Sequence, residues 1–324
     1  MMIKKCTQFV FSLVFYFNVS HGVIAQPLSL LDSLVKQASE ANAQQNYLTA
    51  IRNYDQIIAQ LGENETAAKF YFYRGQNRTF LDQNDRARTD YDRALALQPR
   101  YFDAFLARAV LFMNTDEPEN AINDFNMAIR YSDSSATILS FLLNNRGLAK
   151  RNRADFEGAI RDFRQAAIYV STNQSTRENL AAVLLETNQT AAAIEIYEKL
   201  LAETPNSANL QMLLGMAHAQ NKEFDKAISA YTQALELQPN QPAALNNRGL
   251  AHFNMHNYSA ALTDINHSID LYPNDPYAFR NRGMIRVALR QRSAGCEDFQ
   301  KAIELGFSKR YDLEVAQFIK KYCL

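Results

Sequence analysis

The sequence lacks a net charge. Its 34 Lys and Arg residues balance 34 Asp and Glu residues, and this argues against nucleic-acid binding, which needs a concentrated basic face. Glycine (10) and proline (8) are scarce, and no low-complexity tract is present, so the composition is that of an ordinary helical protein. No phosphate-cradling glycine loop with a following lysine, nucleophile elbow or dinucleotide fingerprint occurs. His252 and His256 have the spacing of metal ligands on a helix, but Phe253-Asn254-Met255 between them lacks the glutamate of metalloproteases. No enzyme chemistry, cofactor or metal is therefore expected.

Apolar runs are short. The longest candidate, Phe9 to Phe17, follows Lys4 and Lys5 and is broken by Asn18, Ser20 and His21, well short of the roughly 20 residues that span a bilayer. With the small residue of Val23-Ile24-Ala25 ahead of Gln26, residues 1–25 read as a cleaved export signal. The alternative is an uncleaved anchor. Cys6 precedes the apolar run, the wrong place for a lipid-modified cleavage site. An exported protein with no integral membrane span after cleavage is expected, in the periplasm, envelope-associated or secreted. Sequons such as Asn64-Glu65-Thr66 and Asn188-Gln189-Thr190 matter only in a host that glycosylates its exports.

What the chain does have is a repeat. Gly75, Ala109, Gly147, Ala181, Gly215, Gly249 and Gly283 form one column of small residues, and Ala87, Ala121, Ala159, Ala193, Ala227, Ala261 and Gly295 form a second. Four residues after each of the second set comes Tyr91, Phe125, Phe163, Tyr197, Tyr231, Ile265 or Phe299, and Pro99, Pro205, Pro239 and Pro273 close four units. The step is 34 residues except for slips between Ala38 and Gly75 and between Ala109 and Gly147, predicted to fall in loops at Gly62–Glu65 and Ser132–Thr137. Apolar and small residues three or four apart predict two short helices per unit, and the small slots let the backbones approach closely.

These columns resemble the tetratricopeptide repeat family, although no tryptophan opens any unit. The resemblance implies an all-α, right-handed superhelical solenoid over residues 26–309. Its eight helix-turn-helix units lie near 31–64, 68–101, 102–135, 140–173, 174–207, 208–241, 242–275 and 276–309, followed by a capping helix within 310–324 that lids the last apolar face. In this family the first helices line a concave groove that holds a protein or peptide, and the residue two before the small slot points into it. That column reads Tyr73, Ala107, Asn145, Asn179, Leu213, Asn247 and Asn281.

Asparagine offers a donor and an acceptor, so such a row could hold a peptide by its backbone; alternatively the same residues contact neighbouring helices. Asn144, Asn246, Arg151, Arg280 and Phe72 stand beside the column as further partner-binding candidates, together with Phe80, Leu106, Met113, Met212, Met216 and Phe253. An arginine column, Arg74, Arg108, Arg146, Arg248 and Arg282, lies immediately before the small slot. A scaffold or adaptor is the reading, with a carbohydrate- or cell-wall-binding protein using the same groove as the alternative. Cys296 and Cys323, the only cysteines left after cleavage, suit a disulfide that pins the cap, with two buried free thiols as the alternative.

Overall fold

A computed structural model of the chain describes residues 29–307 and 314–323. The export signal expected at 1–25 lies outside the described residues, as does the start of the capping segment. Seventeen α-helices follow one another among the described residues, with no strand. They fall into two compact units that divide between Thr176 and Arg177. The first holds α1 (Leu30–Ala43), α2 (Tyr47–Leu61), a 3-10 turn (Glu65–Ala67), α3 (Ala68–Phe80), α4 (Asn84–Leu97), α5 (Phe102–Asn114), α6 (Pro118–Tyr131), α7 (Ala136–Asn152) and α8 (Phe156–Tyr169). Helix α9 (Gln174–Glu186) begins on that unit's last residues. The second unit continues with α10 (Thr190–Glu203), α11 (Ala208–Gln220), α12 (Phe224–Leu237), α13 (Pro242–Asn254), α14 (Tyr258–Leu271), α15 (Pro276–Ala288), α16 (Arg292–Glu304) and α17 (Glu314–Tyr322).

Local sequence explains where these helices begin. Asn46, Ser135, Asp155 and Ser207 accept backbone N–H groups at helix starts, and Pro118, Pro242 and Pro276 occupy first turns, where the missing amide costs nothing. The first slip is taken up by Gly62 to Asn64 and the 3-10 turn, the second by Ser132 to Ser135, whose last side chain caps α7. First helices end in a shared device that the sequence hides. Gln45, Asp82, Asp116, Ala154, Asn188, Lys222, His256 and Arg290 all have positive φ, from 55° to 63°. The next residue's N–H then reaches back to a carbonyl in the last turn, as in Gln83 to Arg78 (2.9 Å) and Glu223 to His218 (2.9 Å). This left-handed closure, ordinarily given to glycine, is here made by residues with side chains.

Helices pack in chain order, first on second within a repeat and second on the next first within a unit. The stripe Ala121, Ile122, Phe125 and Ala128 shows how one face of α6 is buried. Phe125 and Phe163 are wholly inaccessible, each side chain contributing about 2–3 kcal/mol by burial. The small slots explain the closeness of the helices: a Cβ on Gly215 would meet the Tyr231 ring at 2.6 Å, and one on Gly283 the Phe299 ring at 2.6 Å.

An ion pair recurs in the same register. Arg74, Arg108, Arg146, Arg248 and Arg282 each grip an aspartate 16 residues on, namely Asp90, Asp124, Asp162, Asp264 and Asp298, through Nε and Nη2 at 2.6–3.2 Å. Their remaining nitrogen reaches the preceding repeat, at Asp55, Asp92, Asn126, Thr232 or Asn266. Each arginine thus joins three helices. The repeats at Ala181 and Gly215 put Leu180 with Ile196, and Leu214 with Ala230, in the two positions of the pair. At the far end Cys296 of α16 and Cys323 are joined by a disulfide. Phe299 stacks on Phe318 of α17 at 5.4 Å, which covers the last repeat.

Candidate binding faces

The arginine column is closed to ligands. Its guanidinium groups are spent on the aspartates and on the preceding repeat, and Lys150 and Arg286 add second cations to Asp162 and Asp298. Burial raises the pKa of Asp90 and Asp124, and Arg74 and Arg108 respectively oppose that shift. What remains in the candidate groove column is therefore amide, aromatic and apolar.

In the first unit, Phe72 is 1% exposed and wedged among Tyr73, Tyr91 and Tyr101, with ring centroids 5.2–6.2 Å away. It is core, and its place among the partner-binding candidates is corrected: one residue's rotation along α3 takes a side chain from the partly open face into the helix pair. Tyr73 is half-buried and stacks on Tyr54 at 5.9 Å. Asn145 is buried and donates its amide to the Phe141 carbonyl at 2.8 Å, a bond along its own helix. Asn144 and Arg151 are half-buried, and each engages a protein partner. Leu106 is buried, while Phe80 is exposed and stacks on Tyr47 at 4.7 Å.

In the second unit, Asn281 is 3% exposed. Its amide donates to Asn246 Oδ1 on the preceding first helix at 3.0 Å, and its oxygen accepts from Arg280 at 2.7 Å. This trio links repeats, so Asn246, Arg280 and Asn281 have their hydrogen-bonding groups turned at least partly on one another. Asn179 is half-buried and has a partner. Asn247 is half-buried and makes no hydrogen bond among the described residues, and beside it in the same columns stand half-buried Met212 and Leu213 and exposed Met216. The accessible face there is one free amide among flexible apolar side chains.

The histidines stand apart. His256 sits in a left-handed turn with Nδ1 2.8 Å from the Tyr258 hydroxyl, whereas burial lowers the pKa of His252. Among the described residues no group of three or more His, Cys, Asp and Glu could hold a metal ion, and no helix is long and apolar enough to cross a membrane.

Sequence reasoning passed over Tyr101 and Asp103. Asp103 lies one helical turn before Ala107 on the same face of α5, so the signal was available. Its carboxylate makes no hydrogen bond or ion pair among the described residues, and burial raises its pKa. It also stands close enough to Tyr73 and Tyr101 to push both phenols upward, in addition to the larger effect of their own burial.

Comparison with known proteins agrees with this architecture. The tetratricopeptide repeat sequence pattern matches residues 80–136, 144–208, 178–242 and 212–276, more than half of the chain. No curated protein matches the sequence. Among solved structures, yeast Tom70 is 16% identical and is matched over 99% of this chain and 71% of its own, with a TM-score of 0.53. Pseudomonas aeruginosa PilF is 21% identical over 66% of this chain and 95% of its own (TM-score 0.51). MamA is 26% identical over 51% of this chain and 96% of its own (TM-score 0.44).

Proposed function

The chain belongs to the tetratricopeptide repeat family, and from that premise we propose that it is an exported scaffold without chemistry of its own, holding an extended peptide segment of a partner protein on the first-helix face of its repeats. The observation that carries this reading is the contrast on the first helices of the second unit. The charged groups are consumed in internal pairs, while Asn247, Leu213 and Met216 stay at least partly accessible, with the Asn247 amide unspent. An amide that can take a backbone N–H and C=O, flanked by adaptable apolar side chains, suits a peptide with apolar side chains. Export is supported by the leader-like residues 1–25 and by the Cys296–Cys323 bond, since disulfides persist in oxidising compartments.

The test is binding of the full chain, without residues 1–25, to an array of capped random nonapeptides, compared with Asn247→Ala and Met216→Glu. Capture of a peptide subset, weakened about tenfold or more by either substitution, is expected. Capture unchanged by both removes this face from the reading. Absence of peptide capture together with binding to an insoluble glycan would replace it with the carbohydrate reading.

A further inference from the structure

In the first unit the carboxylate of Asp103 is left without a counter-charge. It stands in the first turn of α5, beside Tyr101 at the helix start. The first-helix cations of the neighbouring repeats are already engaged, Arg74 and Arg78 with Asp90, Arg108 with Asp124 and Asp92, Arg146 and Lys150 with Asp162, and exposed Arg100, three positions before Asp103, forms no ion pair among the described residues. Lys69, at the start of α3, sits over the Phe70 ring at 4.9 Å. Asp103 is nevertheless half-buried. Tyr73, Tyr101 and Phe102 all pack on the core of this unit as partly buried rings. Tyr101 lies 5.2 Å from Phe72, and Phe72 5.3 Å from Tyr73, so the rings form a fixed wall. The hydroxyls of Tyr73 and Tyr101 make no hydrogen bond among the described residues.

An unpaired carboxylate taken partly out of water is unfavourable in the free protein. A stabilising acid at a helix N-terminus needs no aromatic wall and no burial; the first turn alone would serve. Aromatic faces and a carboxylate attract the same kind of group, a cation on an apolar stem. We propose that Tyr73, Tyr101 and Asp103 form a subsite within the first unit that takes a lysine or arginine side chain of a peptide held on that unit's own first helices, the head pairing with Asp103 and the stem lying along the two tyrosine rings. This rests on the peptide-holding reading and adds to it the charge of one partner residue. The basic column of the repeats, being locked internally, would not repel such a residue.

The subsite can be tested apart from peptide holding by titrating the full chain with Nα-acetyl-arginine methylamide and Nα-acetyl-lysine methylamide, with the glutamine compound as the neutral control. The readout is the ring resonances of 3-fluorotyrosine at Tyr73 and Tyr101, assigned by Tyr→Phe variants. Saturable shifts with the two cationic probes and none with glutamine are expected, with affinity falling about tenfold in Asp103→Asn. The same variant should melt no lower than the parent, because it removes an unpaired charge. A lower melting temperature, with no loss of probe binding, would assign Asp103 to the helix terminus and overturn the subsite. Equal shifts from all three probes would overturn it too. If cation binding holds but the nonapeptide array stays blank, the subsite stands and the peptide reading fails. If peptides bind without preference for a basic residue, and Asp103→Asn leaves them unchanged, the reverse is concluded.

Discussion

Arg108 and Asp124 face one another across the two helices of a single repeat, Nε and Nη2 lying 2.7 and 2.8 Å from the two carboxylate oxygens, with the carboxylate almost wholly buried. The same chain holds its own control. Where Leu180 and Ile196 occupy these positions, no charge is present at all. Removing one partner of a buried pair leaves an uncompensated charge, whereas replacing both with apolar groups is often neutral. Asp124→Ala should therefore destabilise, by less than the roughly 3–5 kcal/mol of a fully uncompensated buried charge because Asp92 still pairs with Arg108, and the double change Arg108→Leu with Asp124→Ile should recover most of the loss. Urea unfolding of the two variants checks this; equal losses in both would show that the pair itself supplies stability.

The left-handed residues ending the first helices carry side chains where glycine is ordinarily favoured. Ala154, exposed and at φ 62°, has a Cβ that this region of backbone disfavours. Ala154→Gly should stabilise by about 1 kcal/mol, while Ala154→Val should destabilise by a similar amount. Thermal melts followed by circular dichroism distinguish the two directions.

Cys296 and Cys323 close a loop across 27 positions, and a bridge of that span contributes about 3 kcal/mol. Both cysteines line an open recess with Arg292, Glu297 and Tyr322, so a reductant can reach them without global unfolding. Reduction should speed trypsin cleavage at Lys320 and Lys321 well before the helices upstream are cut. Mass spectrometry of the early fragments checks the order; identical cleavage with and without reductant would deny the bridge any part in holding the cap.

Acid should also loosen the contact at Glu223. Glu223 has its pKa lowered to about 2 by hydrogen bonds from His218, Lys226 and Asn221. A depressed carboxylate contributes stability that is fully present above its unfolded pKa of about 4.5 and is lost as pH falls from there toward about 2. Glu223→Gln should flatten that part of the stability profile and leave it unchanged in shape above pH 5. Asp90 and Asp124 run the other way, since burial raises them and protonation relieves that cost.

The repeat was legible because its signals are short-range and recur in phase: the Gly215 slot against Tyr231, or Ala121 with Phe125, can be read from spacing alone. The left-handed turns were not, since Lys222 and His256 carry no mark of a positive φ. Arg146 and Asp162 could have been paired from their 16-residue interval, but an arginine beside a groove column looks the same whether it faces a ligand or its own repeat. Asn281 shows the deeper limit. Its amide is met by Asn246 from the repeat before, and which polar groups neighbouring repeats spend on each other is a matter of tertiary packing. The same holds for Phe72, one position from Tyr73 along α3 yet inside.

The covalent link between Cys296 and Cys323 also has a mechanical meaning. A pull applied at the last residue passes through the sulfurs straight into α16, so the 27-position segment between the cysteines adds nothing to the chain's extension. Stretched from its two ends, the oxidised protein should fall short of the reduced one by roughly 90 Å of contour length, with the terminal helix shielded from load.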